Sequence, residues 1–161
     1  MRRWLIIAGV VVALDQVTKY LIVANMALHQ FFEITSFFNI VYVRNTGAAF
    51  SMFADAGGWQ RFFFIGVAVV ASVWVVWLLR KHPAEKLFCL ALALILGGAV
   101  GNVIDRVLFG SVVDFVQVHY AGWYFPAFNV ADSAITIGAA LMIWDGLFPR
   151  KAPGAGAETT T

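Results

Sequence analysis

Four long apolar segments constrain the fold of this chain more than any other feature of its sequence. A helix needs about 20 predominantly apolar residues to cross a hydrocarbon core about 30 Å thick. Hydrophobic residues make up 61% of the chain, far above the roughly 45–50% that is usual in soluble domains. The segments run from Trp4 to about Val23, from Trp59 to Leu79, from Leu87 to about Ile104 and from about Val130 to Phe148. We therefore predict a mainly α integral membrane protein with four transmembrane helices, forming a single domain over residues 1–148.

The two ends of the chain need separate interpretation. The opening sequence MRRWLIIAGVVVAL resembles a secretory signal peptide, with a basic start and an apolar continuation. No convincing A-x-A cleavage site follows it, and the chain goes on through Asp15 and Lys19 into further apolar sequence, so we expect a retained first span. Residues 149–161 are rich in Pro, Gly and Thr, which predicts a disordered tail.

Lysine and arginine residues outside the spans are concentrated on one side of the predicted bundle. Both chain ends and the loop at residues 80–86 carry most of them, whereas the other two connections carry mainly Arg44 and Arg61. Cytoplasmic loops have an excess of Lys and Arg, which predicts that both termini and this loop are cytoplasmic. The longer connections, about 24–58 and 105–129, then lie on the external face. The residues behind this assignment are Arg2, Arg3, Arg80, Lys81, Lys86, Arg150 and Lys151.

The external connections contain short segments that are typical of β-strands. β-branched and aromatic residues dominate them, and Asp114 and Gln117 stand among valines and Phe115 in partial alternation. We expect a small β-sheet on the outer membrane face, with residues 45–58 forming a short lid-like segment that ends in a Gly57-Gly58 turn. The predicted strands are Phe31 to Thr35, Phe38 to Arg44 and Val112 to Val118, and Trp123 to Phe128 is a further candidate.

Several charged and polar residues lie inside or at the ends of the spans. An ionisable group at mid-helix depth costs about 2.5–3.5 kcal/mol on insertion scales, so it needs a partner or a function. Asp15 and Lys19 are four residues apart on one helical face, which favours a structural ion pair near the outer interface. A direct role of this pair at an active site is the alternative interpretation.

The end of the third span combines small residues with polar ones. Gly97 and Gly101 form a small-xxx-small step, which is typical of close helix packing. Asn102 and Arg106 are four residues apart and point the same way, so a polar face lies directly beyond the close-packed seam. This arrangement indicates a lined cavity, whereas Asp105 is adjacent to Arg106 and could face elsewhere.

Asp114 and Asp132 are the candidate catalytic residues. They are eighteen residues apart, so they meet only if the connection between the third and fourth spans folds back beside the start of the fourth. Asp132 also suits the first turn of a helix, where the macrodipole favours an acid, but aspartate is depleted in strands such as that of Asp114. Two carboxylates held about 3 Å apart cannot both ionise easily and share a proton. Such a pair performs general acid–base hydrolysis of a peptide bond.

Other kinds of chemistry have little support in the sequence. The single Cys89 excludes a disulfide framework and a dithiol redox centre. His29, His82 and His119 are scattered without metal-ligand spacing, and we expect neither a metal nor a cofactor. The net charge of +2 is too small to indicate nucleic acid.

Five motifs in order resemble those of the lipoprotein signal peptidases, the type II signal peptidases of bacteria. They are DQVTK at Asp15–Lys19, RNTGAAF at Arg44–Phe50, GGAVGNVIDR at Gly97–Arg106, VVDFV at Val112–Val116 and FNVADS at Phe128–Ser133. The resemblance covers the chain except its tail. It implies a four-helix aspartyl protease of the bacterial inner membrane, with a small periplasmic sheet and an active site on the periplasmic side.

The resemblance also implies roles and partners. Asp114 and Asp132 would be the catalytic pair, and Asp15 and Lys19 would support the site. The substrate would be a prolipoprotein, cleaved before a cysteine that carries a diacylglyceryl group in the membrane lipid, and a globomycin-type cyclic peptide would inhibit the enzyme. Active-site or substrate-positioning roles would belong to Asn45, Gly47, Asn102, Arg106 and Asn129.

Two functions from other classes remain as alternatives. Intramembrane Asp, Lys and Arg often mark ion paths, so a small transporter or channel is one of them. A non-catalytic assembly subunit that packs through the small residues of the third span is the other. The transporter is disfavoured because the charges cluster on one face, with only Asp145 towards the other end of the fourth span.

Overall fold

The computed structural model describes residues 1–47 and 58–148, and its four helices confirm the predicted membrane architecture. Each helix is long and apolar enough to cross a membrane. The predicted tail and residues 48–57 of the predicted lid-like segment lie outside the described residues. The helices are α1 (Arg2–Asn25), α2 (Trp59–Lys81), α3 (Lys86–Phe109) and α4 (Val130–Leu147).

Helix α3 is longer than the sequence analysis predicts. It continues to Phe109 instead of ending near Ile104, and Gly110 terminates it with a φ of 78°. Neither Gly nor Pro occurs between Ile104 and Gly110, and the charged residues after Ile104 find partners inside the protein, so the end of the apolar segment does not end the helix. Asp105 and Arg106 are therefore helical residues and not the start of a loop.

Small residues on α3 bring the helices into close contact, as the sequence predicts. This helix packs against α1, α2 and α4. A Cβ atom on Gly97 would lie 2.7 Å from the carbonyl oxygen of Ala8 in α1, and one on Gly98 would lie 2.3 Å from that of Ala131 in α4. Both distances are shorter than real carbon–oxygen contacts, so only glycine permits these two helix approaches.

The small sheet confirms the predicted strands with one correction. Strands β1 (Phe31–Thr35), β2 (Phe38–Asn45), β3 (Val112–Tyr120) and β4 (Trp123–Tyr124) form an antiparallel sheet in the order β1-β2-β3-β4. The predicted fourth strand, Trp123 to Phe128, is too long. Pro126 has no backbone N–H to donate to a ladder. Beyond β4 the chain contacts β3 through the N–H of Phe125, which donates to the carbonyl oxygen of Val118 over 2.8 Å, and through an isolated bridge between Phe128 and Val116.

The two ends of the helix bundle differ in character. At one end an apolar cluster joins Trp4 of α1, Leu79 of α2 and Cys89 of α3. At the other, which we call the sheet end, α1 and α3 finish, α2 and α4 begin, and the sheet contacts α1 and α3. Apolar side chains that remain exposed along the helices, including Val70 and Trp74, fit a surface that lipid covers.

Candidate active site

Asp114 and Asp132 come from different elements that meet at the sheet end. The backbone N–H groups of Phe115 and Val116 donate to the carbonyl oxygen of Phe128 over 3.0 and 2.8 Å. These bonds hold β3 beside the residues that lead into α4. The connection therefore folds back, which is the condition that the sequence analysis sets for a meeting of the two carboxylates.

Asn129 joins the two candidate residues through its side chain and backbone. It is fully buried and caps the N-terminus of α4 in a capping box with Asp132. Its side-chain amide donates to Oδ1 of Asp114 over 2.7 Å, and its backbone N–H donates to Oδ2 of Asp132 over 3.3 Å. One asparagine thus contacts both carboxylates and fixes how they face each other.

Two further asparagines complete the hydrogen bonding of the pair. The amide of Asn102 on α3 donates to Oδ1 of Asp132 over 2.8 Å. The amide of Asn45 at the end of β2 donates to Oδ2 of Asp114 over 3.2 Å. Each carboxylate therefore accepts from two donors, which is the satisfaction that buried acidic groups require.

Arg106 and Gly47 lie next to this group. The Arg106 guanidinium donates to the carbonyl oxygen of Gly47 over 3.0 Å and stands 5.0 Å over the ring of Phe64. The backbone N–H of Gly47 in turn donates to Oδ1 of Asn45 over 3.0 Å. The end of β2 is thereby tied to α3, and the guanidinium stays close to the carboxylates without a direct ion pair to them in the described residues.

A cavity of about 600 Å³ opens over these residues. Its size lies within the range of small-ligand sites, roughly 300–1,000 Å³. One side is polar, whereas the 125–128 segment and the first two turns of α4 supply an apolar wall that the sequence analysis misses. The polar wall consists of Asn45, Gly47, Asn102, Arg106, Asp114 and Asp132, and the apolar wall includes Phe125, Pro126, Phe128, Ile135 and Ile137.

The Asp114 carboxyl titrates far above the ordinary range of an aspartate. Burial and the nearby charge of Asp132 raise the pKa of Asp114 to about 7, although hydrogen bonds from Asn45 and Asn129 act in the opposite direction. Desolvation disfavours the charged form of any acid, and a second negative charge adds to this effect. The carboxyl therefore binds a proton near neutral pH, as a proton-sharing pair requires.

A cluster of buried charges lies directly behind the pair. Nζ of Lys19 is 2.8 Å from Oδ2 of Asp15 and 3.0 Å from Oδ2 of Asp105, and it donates to Oδ1 of Asn102 over 3.0 Å. The structure thus places Asp15 and Lys19 in contact, and it adds Asp105, which the sequence analysis leaves without a partner. The signal was its position three residues after Asn102, which puts it on a neighbouring part of the same helix surface.

Gln16 is a second residue that the sequence analysis misses. Its amide donates to Oδ1 of Asp105 over 2.9 Å and to the carbonyl oxygen of Gly101 over 3.2 Å.

In residues 1–47 and 58–148, no group of three His, Cys, Asp or Glu side chains is arranged to hold a metal ion. The hydrogen bonds and ion pairs described above bring all the candidate residues together at the sheet end. They form one network of carboxylates, amides and two cations, Lys19 and Arg106.

Comparisons with known proteins agree with this arrangement. The family model for signal peptidase (SPase) II matches residues 7–148. The lipoprotein signal peptidase of Janthinobacterium sp. (strain Marseille) is 56% identical over 91% of this chain and 89% of its own. That of Ralstonia nicotianae is 55% identical over 89% of this chain and 83% of its own.

Solved structures give the same result for the fold. Two bacterial membrane enzymes, both solved by the in meso method, superpose with a TM-score of 0.81. They are 35% and 37% identical to this chain, covering 94% and 93% of it and 94% and 96% of their own chains. With its family model, its relatives and its fold in agreement, this chain belongs to the signal peptidase II family.

Proposed function

We propose that Asp114 and Asp132 are the catalytic pair of a membrane aspartic endopeptidase that removes signal peptides from prolipoproteins. The scissile bond is the one before the cysteine that carries a diacylglyceryl group. The observation that carries the proposal is the contact of one buried asparagine, Asn129, with both carboxylates, which line a largely apolar cavity. Relatives over half identical to this chain are named for the same activity.

The chemistry follows from one proton shared by the two carboxyls. The ionised carboxylate takes a proton from water, and the resulting hydroxide oxygen bonds to the scissile carbonyl carbon. The protonated carboxyl gives its proton to the carbonyl oxygen, so a neutral tetrahedral diol forms. When the carbon–nitrogen bond breaks, the departing amine takes the proton from the carboxyl that had received one from water. One hydroxyl of the diol returns its proton to the other, ionised carboxyl, so the product is a carboxylic acid and the pair again holds one proton. The pKa of Asp114, raised to about 7, supports a protonated member at neutral pH.

The neighbouring side chains hold this pair and the substrate. Asn45, Asn102 and Asn129 orient the carboxylate oxygens through the hydrogen bonds described above. The positive guanidinium of Arg106 lines the cavity, where it stabilises negative charge that develops on the scissile carbonyl. Its bond to Gly47 also fixes one rim of the cavity.

The apolar wall suits a lipidated substrate. Ile135 and Ile137 lie one turn and more into α4 from Asp132, so apolar surface continues from the catalytic pair into the depth of the bilayer. Acyl chains attached beside the scissile bond remain in contact with apolar surface while the bond reaches the carboxylates. A globomycin-type cyclic peptide would occupy the same cavity.

We place the enzyme in the bacterial inner membrane with both termini cytoplasmic and the sheet end periplasmic. The support is the distribution of basic residues, since Arg2, Arg3, Arg80, Lys81 and Lys86 all lie at the end of the bundle opposite the sheet. A single domain over residues 1–148 and a cytoplasmic tail beyond it complete this arrangement.

Mass spectrometry of the products tests the activity. The purified enzyme is incubated in detergent with one precursor in two forms, with and without the diacylglyceryl group on its cysteine. We expect a mature product that begins at the lipidated cysteine, and a rate at least about 100-fold lower for the form without lipid. Cleavage at another bond, or no cleavage together with ion flux in liposomes, would contradict the proposed function.

A further inference from the structure

Two aspartates outside the proposed catalytic pair hold the backbone directly next to it. Oδ1 of Asp15 accepts the N–H of Ala131 over 2.9 Å, and Ala131 is the residue before Asp132. Oδ2 of Asp105 accepts the N–H of Val113 over 3.1 Å, and Val113 is the residue before Asp114. The backbone N–H directly before Asp132 is therefore held by Asp15, and the one directly before Asp114 is held by Asp105.

Lys19 joins these two carboxylates to each other. Its ammonium lies 2.8 Å from Oδ2 of Asp15 and 3.0 Å from Oδ2 of Asp105. All three side chains are nearly inaccessible, with 4%, 0% and 2% exposure for Lys19, Asp15 and Asp105. A continuous path of short contacts therefore runs from the backbone before Asp132 to the backbone before Asp114.

We propose that Asp15, Lys19 and Asp105 form a brace that sets the separation and orientation of Asp114 and Asp132. The brace residues are positioning residues, since they act through the backbone of their neighbours and not on the substrate. The inference rests on the proposed function, in which Asp114 and Asp132 carry out the hydrolysis.

The surroundings of the brace leave it little freedom to move. A Cβ atom on Gly101 would lie 2.6 Å from Oδ2 of Asp15, so the helix packs directly against that carboxylate. The third contact of the Lys19 ammonium is Oδ1 of Asn102, which leaves the Asn102 amide nitrogen to donate to Asp132. The brace therefore controls a side-chain contact of the pair in addition to the two backbone positions.

Stability alone is a weak reason for three buried charges at this place. Burying an ion costs several kcal/mol even after relaxation, and replacing a buried ion pair with apolar residues is often neutral or stabilising. Reaction rates are more sensitive to geometry, because a misplacement of about 1 Å can reduce the rate about 100-fold. A brace for a pair of reacting groups explains the charges better than a contribution to folding.

Two substitutions of Asp105 separate the length of the brace from its charge. Asp105→Glu keeps the charge but adds a methylene, which moves the backbone of β3, whereas Asp105→Asn keeps the shape and loses the charge. We expect kcat to fall about 100-fold in Asp105→Glu and about 10-fold in Asp105→Asn, with KM within about twofold of the wild type in both. Rates are corrected for the folded fraction of each preparation.

Leu79→Ala is the matched control for a loss of stability. Leu79 is fully buried in the apolar cluster at the other end of the bundle, so its truncation lowers stability without reaching the site. Its kcat per folded molecule should equal that of the wild type.

Two results would overturn the proposed brace: a wild-type kcat in Asp105→Asn, or a higher kcat in Asp105→Glu than in Asp105→Asn. If Asp105→Glu fails to fold, the kcat of Asp105→Asn decides alone. Full activity of Asp114→Asn or Asp132→Asn would instead overturn the proposed function.

Discussion

At the scale of single residues, Asp114 combines burial with an unusual proton affinity. Its side chain is 3% exposed, and its pKa is raised from 3.8 to about 7 by burial first and by Asp132 second. Between these two pH values the folded protein binds a proton that the unfolded chain has already released. The free energy of unfolding therefore falls as the pH rises through this window, because the folded state holds more protons there.

The Asp114→Asn variant tests this dependence, because it removes the titrating group and keeps the shape. We expect the wild type to lose on the order of 2–4 kcal/mol of stability relative to the variant between about pH 4 and pH 7. The measurement is thermal or denaturant unfolding of both proteins in detergent across that range. A difference that does not change with pH would contradict the assigned proton, whatever the constant offset between the two proteins.

At the scale of elements, the approach of α3 to α4 determines where Asp132 lies. A Cβ atom on Gly98 would lie 2.3 Å from the carbonyl oxygen of Ala131, the residue before Asp132. Gly98→Ala must therefore move the start of α4. We expect it to cost about 1–3 kcal/mol of stability, as overpacking does, and to reduce the cleavage rate by about 10-fold or more.

Gly66→Ala on α2 is the control for this change. Nothing lies within 4 Å of a Cβ atom at Gly66, so the same substitution meets open space there. Alanine favours a helix over glycine by about 1 kcal/mol, and we expect unchanged or slightly higher stability with full activity. Equal effects of both substitutions, measured by unfolding and by cleavage, would show that close packing at α4 does not matter.

The elements also show how far the sequence alone can lead. The membrane spans could be predicted because lipid demands long apolar helices, and β1 because aromatic and branched residues stand between turns. The end of α3 could not, since Asp105 and Arg106 extend the helix only with partners from α1 and from Gly47, two residues beyond the end of β2. Composition within one segment contains no information about such distant partners.

In the candidate site too, some residues could be predicted from the sequence, whereas others depend on contacts between distant segments. Asp114, Asp132 and Asn129 could be predicted because carboxylates and amides at membrane boundaries are costly without a function. The role of Gln16 and the partner of Asp105 could not, because both depend on how α1 packs against α3. The apolar wall at residues 125–128 was likewise hidden, since a loop wall has no periodic pattern.

At the scale of the whole molecule, the charged network lies at one end of the bundle. In the described part of the chain, the carboxylates and cations of the site all belong to the C-terminal half of α1, the last two turns of α3, the first turn of α4 or the adjacent sheet. An ion path would need polar groups along the full depth of the helices. This distribution fits chemistry at one membrane surface and disfavours a transporter.

Labelling of single cysteines tests the proposed orientation. Glu33 lies on exposed β1 at the sheet end, and Ala84 lies in the loop between α2 and α3 at the opposite end. In intact spheroplasts, a membrane-impermeant thiol reagent should label Glu33→Cys and should label Ala84→Cys only after permeabilisation. The natural Cys89 is buried, so the unsubstituted protein is the blank. The reverse pattern would invert the orientation.

The most direct measurement for the whole account is cleavage of a diacylglyceryl-modified precursor by Asp114→Asn and Asp132→Asn. We expect each variant to fold and to cleave at least about 1,000-fold more slowly than the wild type, as removal of one member of a catalytic unit does. Asp145→Asn, which changes a carboxylate near the other end of α4, should keep full activity. If either variant folds and still cleaves at more than about a tenth of the wild-type rate, its activity is far above what the loss of a catalytic residue predicts. That result would contradict the claim that Asp114 and Asp132 are the catalytic pair.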